Sequence, residues 1–165
     1  MPSKKIRELL ERERVSYEVL PHAHVVTAQE TAEATLVPGR EFAKATIVKA
    51  DGRLVMAVLP ANLRVDLERM RILTRADHVV LASEDDFVSM FPDCERGAEP
   101  PFGNLYGLDV YLDESLSENP TITFNAGTHR EAMRIGLDAF RRLARPIVGS
   151  FAFSPNRDEI GAWGG

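Results

Sequence analysis

Apolar residues return at helical spacing as soon as the chain begins. Ile6, Leu9 and Leu10 share one face and Ser3 precedes them as a cap, so the spacing predicts a helix over residues 3–13. "VSYEVLPH" (15–22) alternates apolar and polar positions up to Pro21, the period of a half-buried strand. "TAQETAEATLV" (27–37) opens on Thr27 with Glu30 three places on, a capping box. A helix of small residues is expected there, closed by Pro38-Gly39.

The next unit carries the clearest signal. "FAKATIVKADGRLVMAVLP" (42–60) is two apolar runs around Asp51-Gly52, which predicts a tight hairpin. "ANLRVDLERMRIL" (61–73) reads as a helix through Leu63, Leu67 and Met70, "HVVLA" (78–82) as a short buried strand, and Ser83 as the cap of a helix over "EDDFVSMF". Then comes "CERGAEPPFG" (94–103). No helix survives two adjacent prolines, and a central strand would lose a ladder donor at each. This stretch is either a corner between strands or a shaped backbone that is itself a working surface.

Strands are expected again at "LDVYLD" (108–113) and "TITFNA" (121–126), while "REAMRIGLDAFRRLARP" (130–146) begins as a strand and finishes as a helix. Strands outnumber helices and do not form regular βαβ units. The pattern therefore predicts an α+β fold: a mixed, partly closed sheet or barrel surrounded by short helices. One domain over residues 1–153 is expected, with a loosely ordered tail over 154–165 anchored only by Trp163.

Composition narrows the partners. A chain of 165 residues can bury a core without staples, and its net charge of −5 argues against bulk, non-specific binding of DNA or RNA. Two local basic clusters remain: Lys4, Lys5, Arg7, Arg12 and Arg14, then Arg64, Arg69, Arg71 and Arg75. Solvated helix faces would account for either. No apolar run is long enough to span a membrane, and one cysteine, Cys94, fits a reducing compartment, so a cytoplasmic protein without a membrane partner is expected.

Familiar catalytic signatures are missing. There is no nucleophile elbow around Ser150 and no glycine-rich phosphate loop; His22 and His24 lack further ligands at metal spacing, so neither a metal nor a cofactor is expected. Three candidates stay open. Lys44 lies mid-strand with Phe42, Thr46 and Val48 on its face and Ala43, Ala45 and Ile47 on the other. A lysine covered on both sides is costly unless it reaches a cavity or an anion, although a snorkelling edge lysine explains it equally well. Gly97 can offer an N–H without a Cβ in the way. His129, after a strand and Ala126-Gly127, suits a pocket wall or the surface.

Taken in order, these pieces resemble the YbaK / prolyl-tRNA synthetase editing-domain family of aminoacyl-tRNA deacylases, from about Val25 to Leu143. The lysine-bearing hairpin, "GAEPP" (97–101) as a G-x-x-x-P motif, "PFGNLYGLDVYLDESL" with Asp113, and "FNAGTHREAMRI" all fall in the family's sequence order. The resemblance implies hydrolysis of the ester between a wrong amino acid and the terminal ribose of a tRNA, with a ribose hydroxyl helping to activate water. It implies that Lys44 contacts the terminal phosphate or adenosine, that Gly97 holds the acyl carbonyl or the attacking water, and that His129 lines the amino-acid pocket. It also places Ala45, Thr46, Pro101, Phe102, Asp113 and Gly127 at the substrate. In Ala45 the chain departs from the polar residue that the family often carries after the lysine. The implied partners are the acceptor end of a misacylated tRNA, probed in trans, and an aminoacyl-tRNA synthetase. A non-catalytic module binding tRNA ends or a synthetase, and a hydrolase of other small esters, are the competing readings.

Overall fold

The hairpin forms as its sequence demands. In a computed structural model describing residues 2–23 and 27–155, Asp51 and Gly52 both take positive φ, 49° and 82°. That turn matches the twist of the two strands it joins. The Asp51 carboxylate then accepts from the Asp77 and His78 N–H groups, fixing the next crossing of the chain.

In chain order the elements are α1 (Lys4–Arg12), β1 (Glu18–Pro21), α2 (Ala28–Thr35), β2 (Phe42–Ala50), β3 (Arg53–Pro60), β4 (Arg64–Val65), α3 (Leu67–Thr74), β5 (Val79–Leu81), α4 (Glu84–Phe87), β6 (Asp109–Asp113), β7 (Thr121–Thr128), β8 (Glu131–Gly136), α5 (Leu137–Ala144), β9 (Ile147–Gly149) and β10 (Ala152–Phe153). The main sheet runs β1-β8-β7-β2-β3-β6-β9, and β5 pairs beside β2. It is mixed: β2–β7, β3–β6 and β6–β9 are parallel, the other pairs antiparallel. This is the α+β, mixed-sheet architecture that the sequence predicts.

The strands bury both faces. On one, Ala43, Ile47, Met56, Val58, Ile122 and Phe124 meet Ile6, Leu9 and Leu10 of α1 and Phe140 of α5 in the main core. On the other, two smaller cores form: Val48, Val55, Ala57 and Leu59 with Met70 of α3, and Phe42 and Ala132 with Ala32 of α2. Burying a side chain of this size is worth about 1.5–3 kcal/mol, which makes the two-sided sheet the main source of stability. Phe42 and Val48 of β2 thus belong to different small cores. Lys44 and Thr46, between them on the same face, lie in the gap.

Three local expectations change. Helix α3 starts at Leu67, not near Ala61, because Asp66 accepts from the Arg69 N–H and caps it there; Arg64–Val65 instead pair with Ala152–Phe153. Strand β5 is not buried, since it pairs only with β2 at an edge and leaves Val80 and Leu81 53% and 59% exposed. Strands β9 and β10 are too short for any alternation to register. The capping box of α2 forms as expected, with Thr27 accepting from the Glu30 N–H and Glu30 from the Thr27 N–H. His24 and Trp163 lie outside the described residues. Among the described residues no helix is long and apolar enough to cross a membrane.

Candidate functional site

Lys44 opens into a cavity of about 800 Å³ on the side of the sheet that carries the two small cores. Thr46, Leu81, the segment from Arg64 to Arg69 and Phe153 line it as well. Burial holds the Lys44 ammonium below its usual pKa, and the Arg64 guanidinium lowers it further. Strand geometry explains the placement. Along one edge β2 pairs with β7 at Phe42 and Ala43 and with β5 from Val48, the Ala82 N–H reaching Ile47. The Lys44–Thr46 run lies between those two partners.

The Arg64 segment of the lining is held by a carboxylate. One oxygen of Asp113 accepts from the Phe151 and Ala152 N–H groups, both at 2.9 Å, and the other accepts from Ser115. Ala152 and Phe153 pair in turn with Val65 and Arg64. Asp113 is 3% exposed. Removing a charged acceptor from buried donors leaves them unsatisfied, so Asp113→Ala is expected to cost about 3 kcal/mol in urea unfolding. Asp113 thereby fastens β10, and through it β4, to the end of β6.

A second cluster forms around the Gly/Pro loop. Gly127, at φ +94°, donates to the Ala98 carbonyl and accepts from the Glu95 N–H, which docks the loop on the end of β7. A Cβ at Gly127 would come within 2.7 Å of the Ser3 Cβ, so only glycine fits while the N-terminus is tied there by the Ser3 N–H to Ala126. His129 is buried beneath the loop and its Nε2 hydrogen-bonds the Arg96 carbonyl. Gly97, exposed at φ +81°, has the His129 ring beside its Cα. Its N–H donates to the Glu99 carboxylate at 3.2 Å. Burial raises the Glu99 pKa, its own and the Gly97 N–H groups pulling the other way.

The sequence candidates accordingly divide. Lys44 and Thr46 line the cavity; Gly97, Gly127 and His129 form the loop cluster. Ala45 points to the main core, Pro101 is buried, and Phe102 sits edge-on to Phe124 and Phe140. Cys94 is no activated thiol: burial pushes it up to about 12, so it stays protonated at neutral pH. Among the described residues no group of three His, Cys, Asp or Glu is placed to hold a metal ion. Sequence reasoning missed Glu99, whose burial nothing in "GAEPP" signals, and Arg64, hidden by its assignment to a helix.

The chain is similar to known proteins in sequence and in fold. The chain is 28% identical over 124 residues to the proline–tRNA ligase of Staphylococcus saprophyticus, which covers 72% of this chain but only 21% of that enzyme. Its fold is similar to a crystal structure of a candidate trans-editing enzyme for prolyl tRNA synthetase, with TM-score 0.78 and 21% identity over 92% of this chain and 96% of that one. The hypothetical protein APE2540 has TM-score 0.81 and 18% identity over 91% of this chain and all of that one. At such identities these structures establish the fold alone. Residues 22–143 match the aminoacyl-tRNA editing domain family, and the chain belongs to it.

Proposed function

We propose that the protein is a deacylase that removes a wrong amino acid from tRNA in trans, the tRNA for proline being the substrate class. The observation that carries this reading is Lys44, a half-buried cation on a mid-sheet strand, opening into a cavity large enough for a terminal nucleotide. A buried ammonium is costly, and an anionic ligand offsets that cost.

In this reading Lys44 holds the phosphate or adenosine of the last nucleotide. The Gly97 N–H leaves the Glu99 carboxylate and turns to the acyl carbonyl or to the attacking water. His129, packed under the loop, bounds the space for the amino-acid side chain. Water attacks the ester carbonyl while a ribose hydroxyl of the substrate relays its proton. The bond from the carbonyl carbon to the ribose oxygen breaks, that oxygen takes the proton, and free amino acid and tRNA leave. Substrate assistance of this kind needs no protein nucleophile, which agrees with a Cys94 kept as a thiol. Family membership and the fold support the reading.

One observation favours a second reading, a non-catalytic module for tRNA ends: the Gly97 N–H already has an acceptor in Glu99. A panel separates them. Protein in catalytic amounts is mixed with tRNA for proline charged with alanine, cysteine, serine or proline. Loss of one wrong ester with the prolyl ester spared is expected. Protection of all four esters would establish the binding module instead.

A further inference from the structure

Two cations face one cavity. Lys44 on β2 and Arg64 on β4 both line it, close enough for Arg64 to depress Lys44. Among the described residues neither makes an ion pair. The carboxylates lining the same cavity are engaged elsewhere: Asp66 caps α3 through the Arg69 N–H and lies 3.8 Å from the Arg69 guanidinium, and Glu68 grips Arg71 through both oxygens, at 2.6 and 3.0 Å. Arg69, the third cation of the wall, also donates to Ser150. Two like charges lining one cavity repel each other, and an anion between them offsets that repulsion. The arrangement of Arg64 is built, because β4 pairs with β10 and β10 is fastened to Asp113.

We propose that Arg64 is the second cation of an anion clamp with Lys44, gripping a phosphodiester of the tRNA 3′ end. This rests on reading the cavity as the seat of that end. Lys44 supplies a point charge and Arg64 a planar fork of donors, the pairing that suits a phosphate oxygen pair. Because Arg64 is exposed, its side chain can be removed without opening the core. Arg64 is then a substrate-binding residue: its loss raises KM and leaves the rate at saturation close to that of the wild type.

The test is the binding of a 5′-phosphorylated CCA trinucleotide, followed by fluorescence anisotropy over a salt series, for wild type, Arg64→Ala and Arg64→Lys. Arg64→Ala is expected to bind about tenfold more weakly, with the slope of log affinity against log salt shallower by about 0.7, the value of one single-strand phosphate contact. Arg64→Lys should recover part of both. Adenosine without phosphate should bind all three equally. An unchanged slope, no binding by wild type, an equal loss on adenosine, or inorganic phosphate binding as tightly as the trinucleotide would each overturn the clamp. Hydrolysis is scored separately. A clamp without turnover removes the deacylase reading alone, and turnover with an unchanged KM in Arg64→Ala removes the clamp alone.

Discussion

Lys44→Met is expected to abolish the proposed deacylation while the protein stays folded. The loss expected in kcat/KM is about 10²–10³-fold, the scale found when one partner of a buried, hydrogen-bonded charge pair is truncated. Methionine keeps the length and apolar stem of the side chain, so Thr46, Leu81 and the two flanking small cores retain their packing. Stability should not fall, because the ammonium is half-buried and among the described residues forms no ion pair. The pH dependence gives an independent check. Lys44 is held below 10.5, so the folded protein binds that proton less readily than the unfolded chain. The resulting penalty is present at neutral pH and disappears as pH rises through the lowered folded value towards 10.5. Wild type therefore gains stability relative to Lys44→Met over that window, which urea unfolding at successive pH values measures. An active Lys44→Met protein would move the chemistry away from this strand.

Gly97→Val is expected to lower turnover about 100-fold through the loop backbone. At φ +81° a residue with a Cβ pays about 1–2 kcal/mol, and valine pays more than alanine because its branches crowd the backbone. Space alone would admit a Cβ: it would meet the His129 Cε1 at 3.5 Å, an ordinary contact. The γ carbons of valine add bulk next to that ring, and a displacement of about 1 Å at a positioned group can cost 10²-fold in rate. Gly97→Ala should then be intermediate in rate. A shift of the His129 ring resonances in both variants would locate the change at the loop. Full activity in Gly97→Val would mean that the loop is a corner and nothing more.

Much of this was legible from the chain, and the reasons differ by element. Asp51-Gly52 announces its turn because few dipeptides tolerate two positive φ values, and Thr27 with Glu30 announces a cap because both partners are local. The two-sided burial of β2 follows from apolar residues at both parities around Lys44, which also made that lysine visible as a candidate. By contrast the sequence assigns Arg64 to a helix, since Leu63, Leu67 and Met70 keep helical spacing; the tertiary pairing of β4 with β10 places it on a strand instead. The exposure of Val80 and Leu81 could not be read either, because an apolar run does not state whether it lies at an edge. Glu99 is buried by the fold of a proline-rich loop, and Asp113 finds its backbone partners nearly forty residues away, at Phe151 and Ala152. Both depend on long-range contacts that have no local signature.

The most direct measurement counts molecules of free amino acid released per molecule of protein, with misacylated tRNA for proline in tenfold or greater excess. The account predicts release well beyond one per protein for at least one wrong amino acid, at a rate that saturates with tRNA. Release that stops at or below one, with the remaining ester outliving a protein-free control, would contradict it and leave a protein that binds and shields the tRNA end.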